Sequence, residues 1–386
     1  MPSEIEPPGR PSSLMGVAST PAVAALFALA VGFGQDEAAG QAVFTPEVIG
    51  TAVAPWSETH GVTLLAGERI ACTIDSYEGQ IHCLDMAGTV VGVFGREGEG
   101  PGEFGSPASL ARGEEGTVGV ADLDLGRFTV FEPTGAYLTT VRLPGTTFSP
   151  TPSFGEVLSG VSFNFGVMMA GGNSGTLMTR FDVNVASGQV VREEASPRGP
   201  WDVECEPVIW GTPDRDDGWV FVACEGHLVF VGDSGDAIVV QAPAYVPELP
   251  DDRDVARREE ELVVFYRGLE SLGISISGRI ADRLKSYRAT PKLYRLGTRH
   301  QLFDAANRYW IATRRDLHEW SYLDVYENAA YLGSVKVRDR LMAFDLVGST
   351  LVVLVERQVG SDDADGIPNR ALDWYDVGDL RFGTRP

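Results

Sequence analysis

The chain has 386 residues, 44% hydrophobic and 22% charged, the proportions of a globular protein that can bury a large core rather than of a disordered or fibrous chain. Lys and Arg total 31 against 54 Asp and Glu, a formal charge of -23. The mean field therefore repels phosphate backbones and anionic headgroups, which excludes nucleic acid as an expected partner.

The first 34 residues stand apart. Met15 to Gly34 (MGVASTPAVAALFALAVGFG) is an apolar, Ala-rich run with small residues, Gly32 and Gly34 or Ala38 and Gly40, of the kind that suit signal-peptidase cleavage. It predicts export to a periplasmic or extracellular space. An uncleaved anchor is the rival, since the run approaches the roughly 20 residues that span a bilayer, and only in that case would the protein touch a membrane. Glu4 and Glu6 beside Arg10 are unusual ahead of such a run, and translation from Met15 would remove them.

From residue 42 to the end the chain reads as one repeat. Pairs of β-rich segments joined by turns recur as RIACTID with QIHCLDMAG, TVGVAD with RFTVFEPTG, VSFNFGVMMA with TLMTRFDVN, WVFVAC with HLVFVGDSG, YWIATR with EWSYLDVYE, and LVVLVE with RALDWYDV. The turns inside the pairs centre near Glu78, Leu125, Asn173, Gly226, Leu317 and Asp363. Their spacing is roughly 46 to 53 residues with one interval of roughly 91, which is the period of propeller blades with a single insertion. The expected fold is thus an all-β, six-bladed β-propeller. Its ring would be closed by Ala42 to Pro55, adding the outer strand of the last blade after Arg370 to Val377.

The long interval holds DDRDVARREEELVVFYRGLESLGISISGRIADRLKSYRAT, in which Leu262, Phe265, Tyr266 and Leu269 share one helical face. Pro243 to Leu296 is therefore expected as a helical insertion between the third strand of one blade and the first of the next. It would form a lid or docking element with those four residues turned toward the propeller. Arg253, Arg257 and Arg258 could face an anion, but their alternation with Glu259 to Glu261 reads rather as a solvated helix face.

One blade carries a more specific signal. Phe94 to Leu143 has a Gly-rich turn with Gly102, Phe104 and Pro107, a strand ending Val120 to Asp122, a following strand opened by Arg127, and a hairpin at Gly135. This stretch resembles an NHL-type blade, and the resemblance implies a bacterial, exported propeller of that kind. GREGEGPGEFG, within it, superficially looks like a nucleotide loop. No helix follows, so it reads as an interblade turn.

Four cysteines allow three pairings. If Asp75 and Gln80 flank a four-residue turn, antiparallel pairing sets Cys72 opposite Cys83. If Trp210 faces Trp219, Cys205 falls opposite Cys224. Disulfides Cys72–Cys83 and Cys205–Cys224 are expected on that basis, with buried free thiols as the alternative. Zinc would draw on His82 and His227 beside these cysteines, but the groups belong to distant blades and lack compact ligand spacing.

Turns between second and third strands share a face with the links between blades, which makes that loop-rich face the expected binding surface. It would carry Gly95 to Pro107, the insertion, and the acidic turn Arg357 to Asn369. Candidate binding residues are Arg96, Asp122, Asp124 and Tyr266; the two aspartates also read as ordinary turn residues. Asp363 and Asp365, with Gly366, resemble an oxygen-rich calcium loop, but Ser361 stands where a first Asp is preferred and no Glu follows at the required distance. The innermost strands offer His60, Glu204, Glu206, His300 and Asp304, residue types that hold a divalent metal in lactonases and lyases of six-bladed fold. No nucleophile elbow, phosphate loop or histidine cluster is present, so no residue is assigned as catalytic, and a divalent metal is the one cofactor left open. The sequence thus favours an exported module binding a protein, peptide, glycan or small molecule, with a metal-dependent hydrolase or lyase in the central channel as the alternative.

Overall fold

A computed structural model describes residues 42–382, apart from 55–58, 66, 68, 146, 165–166, 168–176, 198, 200–210, 224–226, 244–247, 272–278, 296–297 and 358–368, and apart from the side chains of 264–265, 267–271, 279 and 298. Six sheets follow one another in chain order. Blade one comprises β3 (Thr59–Leu64), β4 (Ile70–Asp75), β5 (Gln80–Asp85) and β6 (Val90–Phe94). Blade two comprises β7 (Pro107–Arg112), β8 (Val118–Asp122), β9 (Arg127–Phe131) and β10 (Tyr137–Arg142). Blade three runs through β11 (Phe148–Pro150), β12 (Val157–Phe163), β13 (Met178–Asn184) and β14 (Val190–Ala195), and blade four through β15 (Gly211–Pro213), β16 (Trp219–Val222), β17 (His227–Val231) and β18 (Ala237–Gln241). Blade five holds β19 (Gln301–Phe303), β20 (Tyr309–Ala312), β21 (Trp320–Glu327) and β22 (Ala330–Arg338), and blade six β23 (Arg340–Val347), β24 (Thr350–Arg357) and β25 (Asn369–Asp376). The expected six-bladed propeller is the fold.

Closure follows the expected route. Strand β2 (Glu47–Ala54) pairs antiparallel with β25 and completes blade six, so an early strand and the last strand share one sheet. An added feature is β1 (Val43–Phe44), which pairs in parallel with β22 as a fifth strand of blade five.

Blades bury both faces, so their middle strands read as continuous apolar runs rather than alternating ones. TLVVLVER in β24 is buried from Thr350 through Glu356. Each of the six hydrophobic clusters lies between adjacent blades. The pair Trp310 and Tyr375 belongs to the interface of five with six, and Trp374 with Leu64 and Leu84 to that of six with one. The other four fill the remaining interfaces.

The NHL-like stretch owes its residue pattern to turn construction. The Asp122 carboxylate accepts from the backbone N–H groups of Gly105, Ser106 and Leu125 at 2.7, 3.0 and 3.2 Å. Arg127 donates to the carbonyls of Glu99, Gly100 and Glu103. Phe104 is buried against Phe131, and Gly95, at φ 88°, leaves the space its ring occupies, since a Cβ there would lie 2.3 Å from the ring.

Cys72 and Cys83 are direct cross-strand partners on β4 and β5 and form a disulfide. The second hairpin differs from expectation. Trp219 faces Pro213, not Trp210, a register displaced by three residues, so the pairing argument for Cys205 and Cys224 fails. Its cause is the Asp214 turn, whose carboxylate accepts from the N–H groups of Asp216 and Gly218 and fixes where the strands reverse. Cys205 and Cys224 themselves lie outside the described residues.

The insertion contains α1 (Asp252–Ser271) and α2 (Arg279–Ala289). It follows the fourth strand of blade four, β18, not the third as expected. Asp251 and Asp254 start α1 with a reciprocal cap, each carboxylate accepting the other's backbone N–H at 2.9 and 3.0 Å. Leu262 and Tyr266 are buried as expected, with Arg283 of α2 over the Tyr266 ring. The side chains of Phe265 and Leu269 lie outside the described residues.

Candidate functional site

The channel is lined by the first strand of each blade. Its described charged groups are tied across it. Arg112 on β7 donates to both carboxylate oxygens of Asp345 on β23 at 2.7 Å, and Asp345 also accepts from the Leu64 N–H and the Thr63 hydroxyl. Arg299, in the turn before β19, donates to the Ala108 carbonyl on β7 at 2.9 Å. The two histidines expected in the channel do not meet. His60 on β3 sits 3.2 Å from the Pro107 carbonyl and 3.2 Å from the Ser76 hydroxyl, whereas His300 bonds the Met342 carbonyl at 3.1 Å. Burial, aided by the charges of Arg299 and Arg370, pulls the His60 pKa down to about 3. A neutral imidazole can bind a metal, but one flanked by two guanidinium groups sits in a field that repels cations. Asp304 is buried beneath Arg308 and the Trp310 indole N–H and closes its own turn. Glu204 and Glu206 lie outside the described residues, as do Asp363 and Asp365.

The remaining candidates divide between structure and surface. Asp122 is a buried turn anchor, Arg96 is an exposed partner of Glu103, and Asp124 is exposed. Tyr266 is buried within the insertion. These four residues do not converge on one site.

A set that shares only His300 with those candidates does. On the loop-rich face a cavity of about 250 Å³ lies between α1 and blades five and six. α1 contributes Arg257, Arg258 and Glu261, at helical spacing that turns them to one flank. Arg295 and Arg314 come from the segment entering blade five and from the turn after β20, and Arg340 opens β23. Backbone bonds hold the second pair: the Arg295 N–H donates to the Ala312 carbonyl and the Arg314 N–H to the Leu293 carbonyl.

Five guanidinium groups thus face Glu261 and Asp254, and neither carboxylate is free. Asp254 binds the buried Lys292 ammonium at 2.9 Å. Glu261 binds Arg258 at 2.8 Å and Arg340 at 3.1 Å. Glu356, just behind, bridges Arg257, Arg340 and Arg370. Among the described residues, Arg295 and Arg314 have only backbone acceptors for their side chains, the carbonyls of Leu341 and Tyr294. Burial, with Arg340 and Arg314 pushing the same way, lowers Arg295 to about 9. Arg257 is lowered by burial and then by Arg340, against the opposing pull of Glu356, Glu261 and Glu260.

That arrangement corrects one expectation. Arg253, Glu259 and Glu260 are exposed, as expected of a solvated face, whereas the half-buried Arg257 and Arg258, with the more exposed Glu261 beside them, form the flank of α1 that meets the propeller. Alternating charge along a helix carries no mark of which flank is covered, and the partners Arg295, Arg314 and Arg340 lie far away in sequence.

Two other places are less promising. A cavity of about 330 Å³ opens at the opposite end of the channel, but its Arg112 and Arg180 are neutralised by Asp345, Asp182 and Asp217. Asp251, Asp254 and His318 come close enough to suit a cation. There the Lys292 ammonium already occupies Asp254, and both aspartates serve as the helix cap.

No protein-family model matches the chain, and no curated protein sequence matches it. Solved structures with a related fold include the calcium-binding protein regucalcin from Agrobacterium tumefaciens, at 13% identity and a TM-score of 0.42, covering 86% of this chain and 96% of that one. A virginiamycin B lyase from Staphylococcus aureus matches at 9% identity and a TM-score of 0.41, covering 84% and 97%. U3-55K matches at 10% identity and a TM-score of 0.47, covering 85% and 99%. At such distances the ligands and chemistry of those proteins do not transfer to this chain.

Proposed function

We propose that the protein is an exported binding module that holds a small ligand on the loop-rich face, in the cavity between the helical insertion and blades five and six. The observation that carries this reading is a formed concavity whose charged lining is only partly neutralised by the protein itself. Export is supported by the apolar run Met15 to Gly34 and by the Cys72–Cys83 disulfide, a bond that persists in oxidising compartments. A metal-dependent hydrolase or lyase in the channel has less support, because Arg112 and Asp345 are engaged with each other and His60, held at the Pro107 carbonyl and the Ser76 hydroxyl, feels the positive charges of Arg299 and Arg370.

Leu317 lines the cavity, and Leu317→Trp would fill it. The test is a thermal-shift screen of the full chain against small metabolites, short glycans and peptides. Ligands that raise the melting temperature of the wild type but not of Leu317→Trp are expected. Ligands that stabilise both proteins equally would place binding elsewhere and defeat the reading.

A further inference from the structure

Resting on that assignment of the cavity, we propose that its ligand is a small dianionic oxyanion of the phosphate class, held by Arg295, Arg314 and Arg340 with Arg257 and Arg258 on the helical side. Three lines of argument converge.

The first is charge. The five arginines outnumber the carboxylates that pair with them, Glu261 in the lining and Glu356 just behind it, while Asp254 is already paired with Lys292, and Arg295 and Arg314 have no carboxylate partner among the described residues. Keeping a guanidinium out of water without a counter-ion is costly. A dianion entering the cavity would supply the missing partner for Arg295 and Arg314. Burial first, and then the neighbouring guanidinium groups, lower the Arg295 and Arg257 protonation equilibria.

The second is geometry. The guanidinium groups arrive from separate elements, α1, the entry to blade five, the turn after β20 and the start of β23, and face a common space. Planar forks approaching from several sides suit an anion with several equivalent oxygens, and arginine is the side chain that binds phosphate in this forked manner. The third is size and context. A volume of about 250 Å³ is below the usual range of roughly 300–1,000 Å³ for drug-sized ligands. The chain as a whole carries -23, so an extended polyanion would meet repulsion beyond the rim while a small one meets only the arginines.

The test is calorimetric titration of the full chain with inorganic phosphate and with glycerol phosphate, at fixed ionic strength in chloride. Saturable one-to-one binding is expected, and whichever of the two binds more tightly identifies a free or an esterified phosphate as the ligand. Arg314→Gln should weaken binding at least about tenfold, the loss of one charge-assisted contact. Arg257→Gln provides an independent variant should Arg314→Gln fold poorly. Arg253→Gln, an exposed position paired with Asp251 outside the cavity, should bind as the wild type does. Absence of saturable phosphate binding overturns the proposal, as does equal weakening by Arg253→Gln or tighter binding of malonate than of either phosphate. A neutral ligand that is blocked by Leu317→Trp, in a protein that ignores phosphate, would sink the anion while leaving the cavity as the binding site.

Discussion

His60 shows how a residue that looks like a ligand in sequence takes a different character from its neighbours. Its folded pKa of about 3 lies below the unfolded value of 6.5. Below pH 6.5 the unfolded chain therefore binds a proton that the native protein refuses. The His60 contribution is fully present above pH 6.5 and is lost as pH falls toward 3, by at most about 1.4 kcal/mol per pH unit. Asp324 acts oppositely, since burial raises it to about 6 despite Arg315 and the native state takes up its proton first on acidification. Urea denaturation at several pH values should give a shallower decline between pH 6.5 and 4 for His60→Gln than for the wild type. An unchanged slope would mean that His60 is already protonated in the folded state. Asp122 makes the complementary case. Because its carboxylate satisfies three backbone N–H groups, two in the link before β7 and one in the turn after β8, Asp122→Ala should cost about 2–4 kcal/mol of stability. Chemical denaturation would measure that loss, and a folded, fully stable variant would contradict the anchoring role.

Hairpins and helices differ in how much of their placement a sequence reveals. The Cys72–Cys83 pairing was legible because Asp75 and Gln80 bracket a short turn and leave one register open to the strands. The corresponding argument for Cys205 rested on two tryptophans, while the Asp214 carboxylate set the turn elsewhere. Disulfide removal is testable at this scale. The bond closes about a dozen residues, so Cys72→Ser with Cys83→Ser should lower stability by about 3 kcal/mol in the loop-entropy picture. Equal denaturation midpoints for the oxidised wild type and the double variant would show that the bridge contributes nothing. For α1, the apolar positions Leu262 and Tyr266 announced both the helix and its buried side. Its charged flank did not announce a site, since Arg257 and Glu261 acquire their meaning only from Arg340 and Glu356 on strands of blade six.

The ring itself makes distant segments neighbours. Repeat spacing was enough to establish six blades and closure through β2, because each blade must cover the apolar face of the next and an open ring would leave one pair of faces wet. The arginine cavity was not legible, because it gathers residues from about position 254 to position 340 that only the junction of blades five and six brings together. The six interblade clusters contain no described side chain of α1 or α2. The propeller core and the cavity should therefore separate under deletion. Replacing residues 250–290 with a short Gly-Ser linker removes Arg257, Arg258 and Glu261 while sparing every cluster, so cooperative thermal unfolding is expected to persist and ligand binding at the cavity to disappear. Deleting residues up to Ala54 removes β1 and β2, strips Trp374 and Leu372 of the covering Ala52, and opens the ring. That truncation should broaden the unfolding transition and expose apolar surface to a fluorescent probe. Loss of cooperativity in the linker variant, or its retention in the truncation, would reverse the roles assigned to the insertion and to the closing strand.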